Sequence, residues 1–141
     1  MARMRIVELG SGDGKLLDRA VRGFRGVSGV DHLAFLTDPS SVCLLMVDGA
    51  EVVGWAWGTR QRHVCGYSQL QLYEIEVVEQ SRRHGIGRTL LTAFLEIARR
   101  DGDAKVYLFT AADNTPAKAL YREVGGVPAE PDETSFSWRL V

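Results

Sequence analysis

Residues 72–91 have the sequence LYEIEVVEQSRRHGIGRTLL, in which a strand pattern passes through a glycine-rich loop into a helix pattern. Residues 70–78 alternate between apolar and polar side chains, but the alternation changes parity between Leu72 and Ile75. One extra residue in a strand produces such a change, and it forms a β-bulge. The sequence therefore predicts a bulged strand that leads into the loop.

The loop at 82–87, RRHGIG, precedes the strongest amphipathic helix pattern of the chain. Apolar side chains recur three and four residues apart, and Gly102 follows where a left-handed C-cap belongs. The first N–H groups of a helix have no partner within it, and the helix dipole is positive there. The loop is therefore a candidate pyrophosphate site. An ordinary glycine-rich helix start would have the same sequence.

The remaining segments predict an α/β fold, a mixed sheet with helices packed against it. Asp48-Gly49 separates two β-rich runs, which is typical of a hairpin. Asn114 and Pro116 mark a helix start, because asparagine caps helices and proline fits the first turn. The predicted strands lie at 5–8, 42–47, 51–59, 70–78, 105–110 and 135–140, and the predicted helices at 15–24, 32–36, 86–101 and 117–124.

The chain has 141 residues, 45% of them hydrophobic and 25% charged, with a formal charge of −1. These values predict one folded domain, 1–141, and argue against a disordered chain or a general nucleic-acid binder. No apolar run reaches the ~20 residues that span a bilayer, and the first residues lack the apolar stretch of a signal peptide. We expect a cytoplasmic protein with no nucleic-acid or membrane partner. Cys43 and Cys65 have no metal-ligand spacing, so no metal is expected.

A second glycine-rich segment, Gly10-Ser11-Gly12-Asp13-Gly14, lies between the first predicted strand and helix. It resembles the nucleotide loop of S-adenosylmethionine-dependent methyltransferases, with Asp31 as the ribose-binding acid. That fold needs a long parallel sheet of successive βαβ units. The hairpin predicted around Asp48-Gly49 argues against such a sheet.

Two motifs together indicate a family. The order strand, R-x-x-G-x-G, helix, strand and N-x-x-A-x-x-L-Y is similar to the GNAT superfamily of acetyl-coenzyme A-dependent N-acetyltransferases. The stretches 72–91, PAKALY at 116–121 and VVGWAW at 52–57 most resemble the aminoglycoside 3-N-acetyltransferase branch. The chain departs from the pattern at Gly126, where an aromatic residue is usual, and at 60–68, which has no clear counterpart.

The resemblance implies a GNAT fold in which two parallel strands splay apart and the pantetheine arm of acetyl-CoA lies between them. Backbone groups of Ile75 and Val77 are implied to pair with the arm and polarise the thioester. Tyr121 is implied to act as general acid for the departing thiolate. The residues implied to bind acetyl-CoA are Ile75, Val77, Arg82, Arg83, His84, Gly85, Ile86, Gly87, Arg88, Asn114, Ala117 and Tyr121.

Acetyl transfer to nitrogen needs a neutral amine, since a protonated amine has no lone pair to attack the thioester. A carboxylate that faces the acceptor can remove the proton, directly or through water. Glu74 is the favoured base, because the aminoglycoside branch carries an acid at the matching place, and Glu76 is the second candidate. The alternative for each glutamate is a solvated or cross-strand-paired surface residue, and Glu76 suits it better than Glu74. Neither cysteine has an obvious base, so we expect direct transfer in a ternary complex.

The implied acceptor is a small-molecule amine, first of all the 3-amino group of an aminoglycoside antibiotic, which would confer resistance. A polyamine, an amino acid or a protein N-terminus is the alternative, and a coenzyme A-binding sensor without activity is another. Glu130, Asp132 and Glu133 would suit an acidic mouth for a cationic acceptor, although loop charges are usually solvated. Trp55 and Trp57 are two residues apart, so they share one face of their predicted strand, and they are expected as core or dimer contacts rather than as a platform for a sugar. Many relatives pair as dimers, so a homodimer is expected by analogy.

Overall fold

The computed structural model describes residues 3–128 and Arg139. Five strands form one sheet in the order β1-β2-β3-β4-β5, with helices on both faces, so the predicted fold class is confirmed. The elements are β1 (Met4–Glu8), α1 (Gly14–Arg25), α2 (Leu33–Thr37), β2 (Ser41–Asp48), β3 (Glu51–Arg62), β4 (Ser68–Val77), α3 (Ile86–Asp101), β5 (Lys105–Tyr107) and α4 (Thr115–Glu123). The strand predicted at 135–140 and the acids Glu130, Asp132 and Glu133 lie outside the described residues.

Strands β1 to β4 are antiparallel neighbours, and β5 joins β4 in parallel. The predicted hairpin is confirmed: Asp48 pairs with Glu51, and Gly49 in the turn has the left-handed φ of 62° that such a turn requires. None of the helices within 3–128 is long and apolar enough to cross a membrane.

Two apolar clusters hold the helices to the two faces of the sheet. On one face α3 buries its predicted stripe, including Leu90 and Phe94, against β2, β3 and β4. Gly54 of β3 permits close approach there, because a Cβ on it would lie 2.9 Å from Leu90 Cδ1. On the other face α1 packs Leu17 and Ala20 against Trp55 and its neighbours. Helix α1 extends one residue beyond the predicted end at residue 24, and Gly26 caps it with a left-handed φ of 65°.

The predicted bulge is confirmed and lies at Tyr73. Trp57 pairs with Glu74 and Gly58 pairs with Leu72, so Tyr73 has no partner on β3. Gly58 allows this local crowding, since a Cβ there would lie 1.7 Å from the carbonyl oxygen of Gln71. The extra residue moves Glu74 and Glu76 to the sheet face covered by α1, and Ile75 and Val77 to the face covered by α3.

Residues 60–68, which had no counterpart in the family pattern, extend the β3–β4 hairpin and close it with a loop at 63–67. Arg60 Nη2 donates to Oδ2 of Asp103 over 2.7 Å, and Ser68 Oγ donates to Oδ1 over 2.7 Å. The Arg60 hydrogen bonds hold the pKa of Asp103 below its ordinary value, although its side chain is fully covered. This network fixes the hairpin to the loop just before β5 and so sets where the parallel pairing begins.

Candidate active site

A cleft of about 280 Å³ opens where β4 and β5 separate. Their parallel pairing covers only Gln69 to Gln71 of β4, and β5 ends at Tyr107 although the sequence predicts a strand to 110. The strand ends early because the diverging β4 leaves its backbone without a partner. Glu74, Ile75, Asn114 and Tyr121 are among the residues that line the cleft.

The edge of β4 that faces the cleft carries backbone groups of Ile75 and Val77. The amide of Val78 donates to the carbonyl of Val53 over 2.9 Å, so alternate residues of β4 direct both backbone groups away from β3. Within the described residues, the only β5 pairing stops at Gln71. The Val77 carbonyl accepts from Arg82 Nε over 3.1 Å. An extended ligand arm could therefore pair with this edge as an added strand.

The loop before α3 has the geometry of an anion site. Gly85, the N-cap residue, has φ 74° and gives no side-chain cap, and Arg83 has φ 67°. Left-handed residues in such a loop turn successive N–H groups towards one point, and the helix dipole adds positive potential there. Arg83 and His84 are exposed beside it, and Ile86 anchors the helix in the core. These features fit a pyrophosphate.

The basic side chains of this loop have different surroundings. Arg82 is bonded to the end of β4, whereas Arg88 donates to Glu123 over 2.6 Å and connects α3 to α4. Gly87 faces the same helix, and a Cβ on it would meet Leu120 Cδ2 at 3.4 Å, an ordinary van der Waals distance.

Helix α4 brings two further predicted residues to the cleft. Asn114 Oδ1 accepts from the amide of Ala117 over 3.3 Å, so the predicted cap is confirmed, and its amide nitrogen keeps two donors for a ligand. Tyr121 is half-buried, and this burial raises the pKa of its phenol. The phenol is therefore protonated at neutral pH, as a general acid must be.

Glu74 and Glu76 share a partner that the sequence did not suggest. Arg25, the last residue of α1, donates from Nη2 to both carboxylates. The hydrogen bonds that Arg25 donates to Glu76, first, and to Glu74 raise the pKa of Arg25, so the guanidinium stays charged. Both glutamates are thus paired side chains, and a base role for either must operate beside this cation.

Aromatic rings surround Glu74 on the α1 side. Trp57 Nε1 donates to Glu74 Oε2 over 3.3 Å, and the Trp57 ring stacks on Tyr73 with centroids 5.0 Å apart. Phe35 meets Trp57 edge-on at 5.9 Å. Trp55 is buried in the core as expected, but Trp57 also belongs to the site. The period-two spacing of the two tryptophans showed a shared face, and the bulge placed Glu74 on it.

The competing glycine-rich segment does not form a nucleotide site. It follows β1, an antiparallel edge strand, and its turn is closed by Asp13, which accepts from the Gly10 amide over 2.7 Å. Asp31 accepts from the Leu33 amide at the start of α2. The methyltransferase alternative is therefore wrong, because β1 to β4 are antiparallel neighbours and the segment is not followed by the successive βαβ units that this fold requires.

The cysteines have no place at the cleft. Cys43 is buried in β2, and this burial raises the pKa of its thiol to about 12. Cys65 lies exposed in the loop at the far end of the β3–β4 hairpin. Within the described part of the chain, no group of three or more histidine, cysteine or acidic side chains is arranged to hold a metal ion.

The mixed sheet, in which the parallel strands β4 and β5 separate, and the start of α3 without a side-chain cap define an acetyltransferase architecture of the GNAT type. The sequence model of the Acetyltransferase (GNAT) family matches residues 17–126, and the chain belongs to this family.

Relatives and solved structures differ in what they are named for. A mycothiol acetyltransferase of Jonesia denitrificans is 32% identical over 100 residues, 71% of this chain and 29% of that protein. The chain thus spans about three tenths of that relative's length. An aminoglycoside acetyltransferase from an uncultured soil metagenomic sample, in complex with sisomicin, has a TM-score of 0.83 at 18% identity and covers 99% of this chain and 98% of its own. Aminoglycoside N-acetyltransferase AAC(6')-Iy in complex with CoA has a TM-score of 0.78 at 17% identity, with 98% and 95% covered.

Proposed function

We propose that the chain transfers the acetyl group of acetyl-CoA directly to the nitrogen of a small-molecule amine. The observation that carries the proposal is the cleft between β4 and β5, because a protonated phenol and two carboxylates line the same space. A proton donor and a proton acceptor on one cleft are what acyl transfer from a thioester to an amine requires.

Three features of the chain suit acetyl-CoA, which would supply an acetyl group activated as a thioester. The cleft edge of β4 offers the backbone of Ile75 and Val77 to the pantetheine arm. The loop at 82–88 offers uncapped amides and basic side chains to the pyrophosphate. Asn114 offers its amide nitrogen. Family membership supports this choice of acetyl donor.

The residues at the cleft divide the proton transfers between them. Glu74 takes the proton of the incoming ammonium, directly or through water, and Glu76 is the second candidate for this role. A backbone amide of Ile75 or Val77 donates to the oxygen that gains charge as the amine adds. Tyr121 gives its proton to the departing sulfur as the carbon–sulfur bond breaks, so no free thiolate is released. The second proton that the acetylated nitrogen loses returns to the Tyr121 phenolate, directly or through water.

The candidate acceptors come from the sequence resemblance and from the relatives. The 3-amino group of an aminoglycoside remains the prediction from sequence, and a fold neighbour in complex with sisomicin supports it. The mycothiol acetyltransferase relatives favour instead an acceptor related to mycothiol. The alternative acceptors are a polyamine, an amino acid or a protein N-terminus.

Calorimetric titration with acetyl-CoA, followed by a thiol-release assay over a panel of amines, tests the proposal. We expect acetyl-CoA binding, release of free coenzyme A only with an acceptor present, and an amine that gains the mass of one acetyl group. Absence of acetyl-CoA binding would overturn the proposal. Binding with no turnover on any amine or peptide N-terminus would leave the chain a coenzyme A-binding sensor, which also contradicts it.

A further inference from the structure

Arg25 forms an ion pair with each of the two glutamates at the cleft, Glu74 and Glu76. Its Nη2 contacts Oε2 of Glu74 and Oε1 of Glu76, and its guanidinium lies 5.4 Å from the centre of the Trp55 ring. The side chains of Arg25, Glu74 and Glu76 are 38%, 23% and 38% exposed. All three side chains are therefore partly exposed to solvent, and Glu74 and Glu76 also line the cleft.

The guanidinium of Arg25 reduces by half the net negative charge of the two glutamates that an acceptor approaches. Among the described residues that line the cleft, Glu74 and Glu76 are the ones with charged side chains. Two carboxylates alone would give the site a charge of −2, whereas the pair bound to Arg25 carries −1. An ammonium group that approaches Glu74 must also share this carboxylate with Arg25.

We infer that Arg25 is a specificity-determining residue that suits the acceptor site to amines with a single positive charge and disfavours polycations. The inference rests on the proposed function and narrows its substrate class. One ammonium neutralises the net charge of the acid pair and Arg25. Every further ammonium near the site is repelled by the guanidinium and finds no free carboxylate among the described lining residues. Within the proposed function, this inference therefore favours a singly charged amine over the aminoglycoside that the sequence resemblance implied, and over a polyamine.

The packing of α1 does not by itself explain Arg25. Leu17 and Ala20 already bury the helix against the sheet. The neighbouring Arg22 complements the same helix end but pairs with Asp18 on its own helix, over 2.6 Å. Arg22 is thus a matched control: it has the same side chain and sits one turn away, with no contact to the acids of β4.

The test compares wild-type protein with Arg25→Gln, Arg25→Lys and Arg22→Gln at saturating acetyl-CoA. Benzylamine and glucosamine serve as singly charged acceptors, and spermidine and kanamycin as polycations. We measure kcat/KM for each acceptor and divide the value for the singly charged acceptors by the value for the polycations. For Arg25→Gln we expect this ratio to fall about tenfold, because one nearby positive charge is lost. Arg25→Lys and Arg22→Gln should keep the wild-type ratio. The change should shrink at about 500 mM salt, where exposed charges are screened.

A merely structural Arg25 would alter all four acceptors equally, so an unchanged ratio in Arg25→Gln overturns the inference. Wild-type preference for spermidine or kanamycin overturns it as well. If no amine is acetylated, the proposed function fails separately, and calorimetric binding of benzylamine and spermidine still measures the charge preference. Should Arg25→Gln fail to fold, Glu76→Gln replaces it. That variant is expected to weaken spermidine binding about tenfold more than benzylamine binding, and equal effects would contradict the inference.

Discussion

Trp57 and Glu74 are joined twice, as backbone partners on β3 and β4 and through a 3.3 Å hydrogen bond from Trp57 Nε1 to Glu74 Oε2. The pairing exists because the bulge at Tyr73 shifts the register by one residue. Without it, Glu74 would face α3 and the apolar core. The carboxylate is therefore held by the sheet itself, with Arg25 on its other side.

Replacement of Glu74 by Gln should lower kcat in the thiol-release assay by a factor of roughly 10² to 10⁴, because a general base is lost while the shape is kept. The affinity for acetyl-CoA should stay unchanged. Glu76→Gln is the matched control on the same strand face, and we expect a smaller loss of kcat. An equal or larger loss in Glu76→Gln would exchange the roles of the two acids.

Replacement of Tyr121 by Phe should lower kcat by roughly tenfold to ten-thousandfold and leave acetyl-CoA affinity intact, since only the acidic proton is removed. Burial raises the pKa of Tyr121, so its proton is retained to a higher pH than that of an exposed phenol. The wild-type rate should therefore decline only above the ordinary tyrosine value, about 10. The variant should lack this alkaline decline.

Tyr107→Phe is the control for that experiment. Tyr107 lies on β5 and donates to Gln61 Oε1 over 2.7 Å, outside the cleft. The Tyr107→Phe variant should have the same rate and the same pH profile as the wild-type protein. A Tyr121→Phe enzyme with the wild-type rate would exclude the phenol as the acid.

Gly58→Ala tests the bulge. A Cβ at this position would lie 1.7 Å from the Gln71 carbonyl oxygen and 3.2 Å from Leu72 Cα, and these are backbone atoms of β4 that cannot rotate away as a side chain would. We expect the free energy of unfolding, measured in urea, to fall by at least about 3 kcal/mol. Gly23→Ala in α1 is the contrast, since a Cβ there meets nothing within 4 Å and alanine is the better helix former. The Gly23→Ala variant should have a free energy of unfolding about 0.5 to 1 kcal/mol higher than the wild type. Equal effects would mean that β3 and β4 pair in another register.

Local chemistry made much of the fold predictable. The change of parity between Leu72 and Ile75 located the bulge, and Asp48-Gly49 located the hairpin, because each signal lies within a few residues. Asn114 was identifiable as a cap for the same reason. Each of these features depends on hydrogen bonds between near neighbours in the chain.

Contacts between distant segments were not predictable in this way. Arg25 and Glu74 are 49 residues apart, and no pattern in either segment indicates that the end of α1 lies above the bulged strand. The early end of β5 at Tyr107 has a similar origin, because it depends on where β4 turns away rather than on the residues of β5. The sequence therefore predicted the two glutamates on the acceptor side of the site, whereas their partner Arg25 was found only in the structure.

Gly85→Asp tests the anion site at the start of α3. The carboxylate would cap the first-turn amides and add a negative charge where the pyrophosphate is proposed to lie, so acetyl-CoA affinity should fall at least about tenfold. Gly102→Asp is the matched control. Gly102 ends the same helix with φ 80°, Gly85 begins it with φ 74°, and neither position offers an obstacle to a Cβ within 4 Å. Both variants thus bear similar backbone strain and equal charge. Calorimetry should show weakened acetyl-CoA binding in the first alone, and equal binding in both would place the pyrophosphate elsewhere.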